Sequence, residues 1–402
     1  MRAYSKRQVI REVRAVLPTK VLTGAVVEIE DGNIISVTGS RETAGKGQED
    51  WLIPGLIDIH VHGAGGADIM DAQPDSLQRI AQTLLRHGTT AFLAATMTTD
   101  EEQLSRSLKT LAAFIRDYSG PKNPDFSSER SLSAELPDLS TCLGIYLEGP
   151  FLSRQYAGAH NSAYLQEPSL GLLQKYWTLA ENNLKIVTLA PELAGAEAVI
   201  RECRLLGIIP AAGHSAATWA ESQQAISWGI RHITHGFNAM RPLHHREPGL
   251  IGTALTDDAV TVEMIADLQH LHPAILDILY RLKGADGMIL ISDGMRAVGM
   301  PEGEYDLGGH KVLVRQGKAC LADGTLAGSA STLLDGIKSL IFKVGIPITE
   351  AVRMASLGPV RLLGLDLRTG SLEKGKEATF LRLDPNWNIK EVWIRGKMIS
   401  VK

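Results

Sequence analysis

The sequence predicts a (β/α)8 TIM-type barrel carrying a small β-sandwich domain formed by both chain termini. Three observations support that fold class. Eight short β-like runs follow one another through the middle of the chain, each ending in polar or small residues. Most are separated by segments of helical periodicity, and eightfold strand-helix alternation favours a closed parallel barrel over an open doubly wound sheet. Both ends of the chain alternate apolar and polar residues as half-buried strands do. The 402 residues accommodate one large α/β domain and a smaller one. They divide into 1–52 for the N-terminal part of the small domain, 53–368 for the barrel and 369–402 for the C-terminal part.

The chain starts with a basic stretch, MRAYSKRQVIREVR, with no apolar run or small-residue cleavage site after it; it reads as a solvated extension. Residues 21–39, VLTGAVVEIEDGNIISVTG, alternate around Asp31-Gly32, a strong hairpin signal. The barrel runs are IPGLIDIHVH (53–62), TTAFLAAT (89–96), TCLGIYLE (141–148) and LKIVTLAPE (184–192). They continue as GIIPAAGH (207–214), RHITH (231–235), VTVEMIAD (260–267) and MILISD (288–293). After the first run, Leu77, Ile80, Ala81, Leu84 and Leu85 fall on one face of a helix. After the last, Leu333, Leu334, Ile337, Leu340 and Ile341 do the same. The Pro- and Ser-rich stretch 118–140 reads as a surface loop. The tail, EATFLRLDPNWNIKEVWIRGKMISV, returns to the strand pattern.

Composition narrows the function. Hydrophobic residues make up 44% and charged residues 21%, as in ordinary soluble proteins. A net charge of -4 argues against a nucleic-acid or membrane surface built on basicity. No stretch approaches the roughly 20 apolar residues of a membrane span. Cys142, Cys203 and Cys320 are far apart and outside any CxxC, which fits reduced thiols in a cytoplasmic protein.

The chemistry sits at the ends of the runs: His60, His62, Glu148, Glu192, His214, His235, Asp267 and Asp293. In a barrel enzyme catalytic groups gather at that rim. A carboxylate such as Glu148, closing a run expected to be buried, needs a cation to offset its desolvation. His60 and His62, two apart on a strand, point to one side and can meet one ion. With Glu148, His214 and His235 they form a set that one or two divalent ions of the zinc type accept, with room left for water. Asp293 then faces the water that such an ion activates, and can take its proton and pass it to a leaving group. His244-His245 and His87 are not at run ends and read as solvated or structural.

The stretches PGLIDIHVHG, LEGPF, GAHN, GHSAAT, THGFNAM, HHREPGL and LAGSAST, in this order, resemble the amidohydrolase superfamily. Within it they look like the N-acetylglucosamine-6-phosphate deacetylase family. The resemblance spans residue 20 to the C-terminus and implies hydrolysis of an N-acetyl amino-sugar 6-phosphate to the amine and acetate. It makes Glu148, His214 and His235 the shared metal ligands, with His60 and His62 favouring a second ion and Asp293 as acid and base. The same ligands accept zinc, iron, cobalt or manganese, with zinc preferred. Ala159, His160, Asn238 and Ala239 match sugar-contacting positions, and Leu326, Ala327 and Gly328 a loop lining the sugar site. Arg246 matches a phosphate-binding arginine. His270 matches a histidine that reaches the phosphate from the neighbouring subunit, which implies a homodimer.

Three positions depart from the family pattern. Leu268 stands where a glycine with φ > 0 is usual, SDG replaces TDA at Asp293, and Arg154-Gln155-Tyr156 lacks the usual lysine. Glu148 at the bridging position argues against cyclic-amide hydrolases that use a carboxylated lysine. The alternatives that stay open are deacetylation of the galactosamine epimer and a non-catalytic sugar-phosphate sensor on the same barrel.

Overall fold

Asp31 and Gly32 close the hairpin between Val21–Glu30 and Asn33–Arg41 with φ of 49° and 81°, the left-handed pair that a tight turn between twisted strands requires. The computed structural model describes residues 7–41, 49–118 and 138–399. Most of the expected 118–140 loop lies outside them, as do the first six residues.

The small domain takes strands from both ends of the chain. Arg7–Val16, Val21–Glu30, Asn33–Arg41 and Asp50–Pro54 join Phe380–Leu383, Ile389–Ile394 and Lys397–Ile399 in one seven-stranded sheet. Arg7–Val16 corrects the expected solvated extension. It pairs antiparallel with Val21–Glu30 and parallel with Asp50–Pro54, burying Ile10, Val13, Ala15 and Val16. A register shift between Ile10 and Val13, with Glu12 at φ 55°, breaks the period-two pattern that would have revealed this strand.

The first barrel run is in fact two strands divided at Gly55. Asp50–Pro54 pairs with Phe380–Leu383 in the small domain, and Leu56–Val61 opens the barrel. The remaining barrel strands are Thr89–Ala95, Thr141–Glu148, Leu184–Leu189, Ile209–Ala212, His232–Ile233, Thr261–Ile265 and Met288–Ile291. They pair parallel in chain order, first to eighth, as the runs predicted. Every barrel strand but the sixth contributes to an interior cluster that includes Ile57, Leu93, Tyr146, Ile186, Ala211, Ile265 and Ile291.

Helices cover the outside. Pro74–Arg86 buries Leu77, Ile80, Ala81, Leu84 and Leu85, the predicted face. Leu333–Ser339 buries Leu333, Leu334 and Ile337, and Leu340 continues the same stripe beyond it. Closure between the eighth and first strands rests on few ladder bonds. Asp58 stands in for them: its Oδ1 accepts the backbone N–H of His60 at 3.2 Å and of Ser292 at 3.3 Å. Burial pushes the Asp58 carboxyl up to about 7 against those hydrogen bonds.

A three-stranded sheet, Gly303–Leu307, His310–Arg315 and Lys318–Cys320, follows the eighth strand and was not anticipated. Its inner residues Leu307, Val312, Val314 and Ala319 pack with Met97, Met295 and Ala327.

Gly55 joins the two domains where a side chain has no room. A Cβ there would lie 2.4 Å from Thr90 Oγ1 and 2.9 Å from Thr379 Cγ2. Gly55→Ala is therefore expected to lower stability by about 1–3 kcal/mol, measured by denaturant unfolding. A change below about 0.5 kcal/mol would contradict the close approach.

Candidate metal centre

The third strand delivers Glu148 to the barrel mouth with 2% exposure. Five imidazoles converge on its two oxygens. Oε2 lies 3.4 Å from His60 Nε2, 3.2 Å from His62 Nε2 and 3.3 Å from His160 Nε2. Oε1 lies 3.2 Å from His214 Nε2 and 3.0 Å from His235 Nε2. Asp293 Oδ1 lies 3.2 Å from His62 Nε2 and 3.7 Å from His60 Nε2. The carboxylate thus faces one group through each oxygen: His60, His62 and His160, with Asp293 beside the first two, on one side, and His214 and His235 on the other.

These separations fit ligands around a divalent ion. A tetrahedron with bonds of about 2.0–2.1 Å has edges of roughly 3.3 Å. His60 Nε2 is buried without a hydrogen-bond partner although it points at this cluster. Such an orphan is costly unless something else meets it. The Nε2 atoms of His214 and His235 approach to 3.0 Å, a spacing natural for two nitrogens sharing one ion.

Three of the rings are oriented by hydrogen bonds on their far side, whereas Nδ1 of His62 and of His235 is buried with no such partner. His214 Nδ1 donates to the Tyr156 carbonyl at 2.8 Å, leaving Nε2 free as a ligand. His60 Nδ1 lies 3.2 Å from Glu263 Oε2. Burial would raise the Glu263 carboxyl, but the His60 charge and hydrogen bonds from His232 and His60 carry it down to about 2. An ionised Glu263 accepts the Nδ1 proton, so Nε2 is the nitrogen that His60 turns towards Glu148. His160 differs. Its Nδ1 accepts the Thr98 backbone N–H at 3.1 Å, so its proton sits on Nε2. Burial lowers its pKa to about 4, against the pull of Glu148. His160 is therefore a neutral donor aimed into the site rather than a ligand.

Backbone strain helps to aim these groups. His214, His235 and Asp293 have φ of 47°, 27° and 50°, rare for residues with a Cβ. Each follows its strand at the point where a left-handed turn re-aims the chain. Glu192 supports one such turn, accepting from Ser215 Oγ at 2.7 Å and from the Ala216 N–H at 2.6 Å.

Above the cluster opens a cavity of about 450 Å3 lined by His62, Glu148, His160, His214, His235 and Asp293. Ala159, Asn238, Ala239, His270, Leu326 and Gly328 also line it. Ala327 is buried in the cluster under the three-stranded sheet instead. Arg246 is exposed, donating from Nη1 to His245 Nε2 at 2.8 Å, and is not part of the cavity wall. His270 lines the cavity of its own chain, held by Asp267 Oδ2 at 2.8 Å. This differs from the expected reach into a neighbouring subunit. Leu268 adopts φ 63° despite its side chain, so the loop takes the glycine-type conformation without a glycine. Met97, Leu307, Lys318 and Thr325 also contribute to the wall. Two of these come from the unanticipated sheet. Glu263 and His232 were also missed, because both sit inside runs that read as ordinary strands.

The amidohydrolase family model matches residues 51–399. The chain belongs to the amidohydrolase family. An N-acetylglucosamine-6-phosphate deacetylase of Vibrio furnissii is 37% identical to it over 93% of this chain and 90% of that protein. An N-acetylgalactosamine-6-phosphate deacetylase of Escherichia coli O157:H7 is 34% identical over 93% of this chain and 94% of that protein. Among solved structures, a mutant N-acetyl-D-glucosamine-6-phosphate deacetylase from Mycobacterium smegmatis, in complex with N-acetyl-D-glucosamine-6-phosphate, superposes with a TM-score of 0.87. It is 31% identical, covering 98% of this chain and 100% of that one. Membership of the amidohydrolase family accords with a divalent ion among these His and Glu groups.

Protons compete with such an ion. Burial alone would lower the His62 pKa, but hydrogen bonds to Asp293 and Glu148 push it up to about 9. A raised value means that the ring is protonated below about pH 9 and that an ion must displace the proton. Metal affinity should therefore fall as pH drops from 8 to 6, and binding should release a proton. Calorimetry in buffers of different ionisation enthalpy checks this; affinity independent of pH would contradict it.

Proposed function

We propose that this amidohydrolase deacetylates N-acetyl-D-glucosamine 6-phosphate, giving D-glucosamine 6-phosphate and acetate in amino-sugar breakdown. The observation that carries the reading is the buried carboxylate shared between two imidazole groups, with a neutral His160 donor and a carboxylate, Asp293, on the same cavity wall. His60, His62, Glu148, His214 and His235 would hold one or two divalent ions, zinc most readily. The chemistry contributed by such an ion is polarisation of the acetyl carbonyl and a water of lowered pKa.

The chain's own groups do the rest. Asp293 Oδ1 takes a proton from the attacking water and returns it to the amine nitrogen as the C–N bond breaks. That nitrogen leaves poorly unless protonated, so one carboxylate serves both halves of the reaction. His160 donates from Nε2 to the carbonyl oxygen as charge develops there. Ala159, Asn238, Ala239, Leu326 and Gly328 shape the sugar site. His270 is assigned to the phosphate end within its own chain. Arg246, the guanidinium matched to phosphate, lies away from its own cavity, and this supports a homodimer in which it serves a second copy's site.

Purified, metal-loaded protein should turn over the acetylated glucosamine 6-phosphate faster than its galactosamine epimer and far faster than the unphosphorylated sugar. Asp293→Asn, which keeps size but loses the proton shuttle, should lower kcat by ~10²-fold or more with metal content unchanged. Preference for the epimer would reassign the substrate. No turnover of either sugar phosphate would contradict the function. A fall in kcat of less than about tenfold would remove Asp293 from its role.

A further inference from the structure

Beneath the candidate ligands runs a buried chain of polar groups that the proposed reaction does not use. Glu263, on the seventh barrel strand, is 0% exposed. Its Oε2 lies 3.2 Å from His60 Nδ1 and accepts the backbone N–H of His235 at 3.1 Å. Its Oε1 lies 2.9 Å from His232 Nε2, and His232 Nδ1 lies 2.7 Å from Thr261 Oγ1. One oxygen of Glu263 therefore touches a member of each imidazole group around Glu148.

Packing alone does not account for this residue. Neighbouring positions on the seventh and eighth strands carry Ile265, Ile289 and Ile291, and these fill the barrel without desolvating a charge. A carboxylate in their midst costs more than an isoleucine unless its hydrogen bonds do something an apolar side chain cannot. The seventh strand supplies none of the candidate ligands directly. What it supplies is the acceptor that settles which nitrogen of His60 turns towards Glu148, and a fixed point for the backbone of His235.

We infer that Glu263 is a positioning residue for the metal centre, holding His60 with Nε2 aimed at Glu148 and setting the spacing between the two imidazole groups, with His232 as its clamp. The inference rests on the metal-centre reading. The carboxylate draws the proton to Nδ1, and its charge strengthens Nε2 as a donor to an ion. Because the same oxygen holds the N–H of His235, movement of one ligand group is felt by the other.

The test is a titration with cobalt(II) alone, followed by its visible absorption, on chelator-stripped full-length protein. Glu263→Gln keeps the size and loses the charge. It should weaken cobalt binding at the position served by His60 and His62 by about 10–100-fold, while the position served by His214 and His235 shifts only a few-fold. Wild-type binding at both positions in Glu263→Gln overturns the inference, even with a lowered melting temperature, because a packing role moves stability and not affinity. A His60→Ala control separates the two levels: cobalt binding unaltered there overturns the metal reading itself, and this inference with it. Should Glu263→Gln fail to fold, His232→Gln decides. Weaker binding at the His60 position supports the clamp, and unaltered binding overturns it.

Discussion

Glu148 ends the third strand with its side chain 2% exposed and imidazoles facing both of its oxygens. The arrangement of the barrel mouth follows from the cost of placing that charge there. A carboxylate out of water must be met by positive charge or by donors on every lone pair. Among the described residues, no Lys or Arg pairs with it; histidines from the first, fifth and sixth strands and from the loop after the third do. Neutral imidazoles meet a carboxylate poorly on their own, and well through an ion bound to both.

The remaining features serve that arrangement. The ring nitrogens of His214, His60 and His160 remote from Glu148 are tied to the Tyr156 carbonyl, to Glu263 and to the Thr98 N–H, and these ties fix which nitrogen each ring turns towards Glu148. Asp58 bonds the backbone of His60 to that of Ser292, next to Asp293, across the seam where the barrel closes. Asp293 and the His60-Val61-His62 arm are thereby fixed to each other although they lie at opposite ends of the sheet. Left-handed backbone at His214, His235 and Asp293 stores strain that the surrounding hydrogen bonds hold in place.

Much of this was legible in the sequence because barrel enzymes place chemistry at strand ends, where a polar residue interrupts an apolar run. His60, His62, Glu148, His214, His235 and Asp293 all stand at such interruptions. Glu263 and His232 do not: each lies within its strand, and period-two reading treats an inward polar residue there as a surface position. The strand Arg7–Val16 was hidden by its bulge at Glu12 and by the charges on its open face. The sheet 303–320 had a signal in Gly308-Gly309 and Gln316-Gly317, turn pairs with positive φ between alternating residues. Arg246 shows a different limit. Motif spacing places a residue in the chain, but only the fold says whether it faces the cavity of its own chain.

In the proposed metal centre the carboxylate of Glu148 is shared between two ion positions. Crystals of the zinc-loaded protein, measured on both sides of the zinc absorption edge, test it directly. Anomalous density is expected on both sides of Glu148, one peak beside His60 and His62 and the other beside His214 and His235. A single peak bound by His160 and His214, with His60 and His62 making no contact to metal, would contradict it.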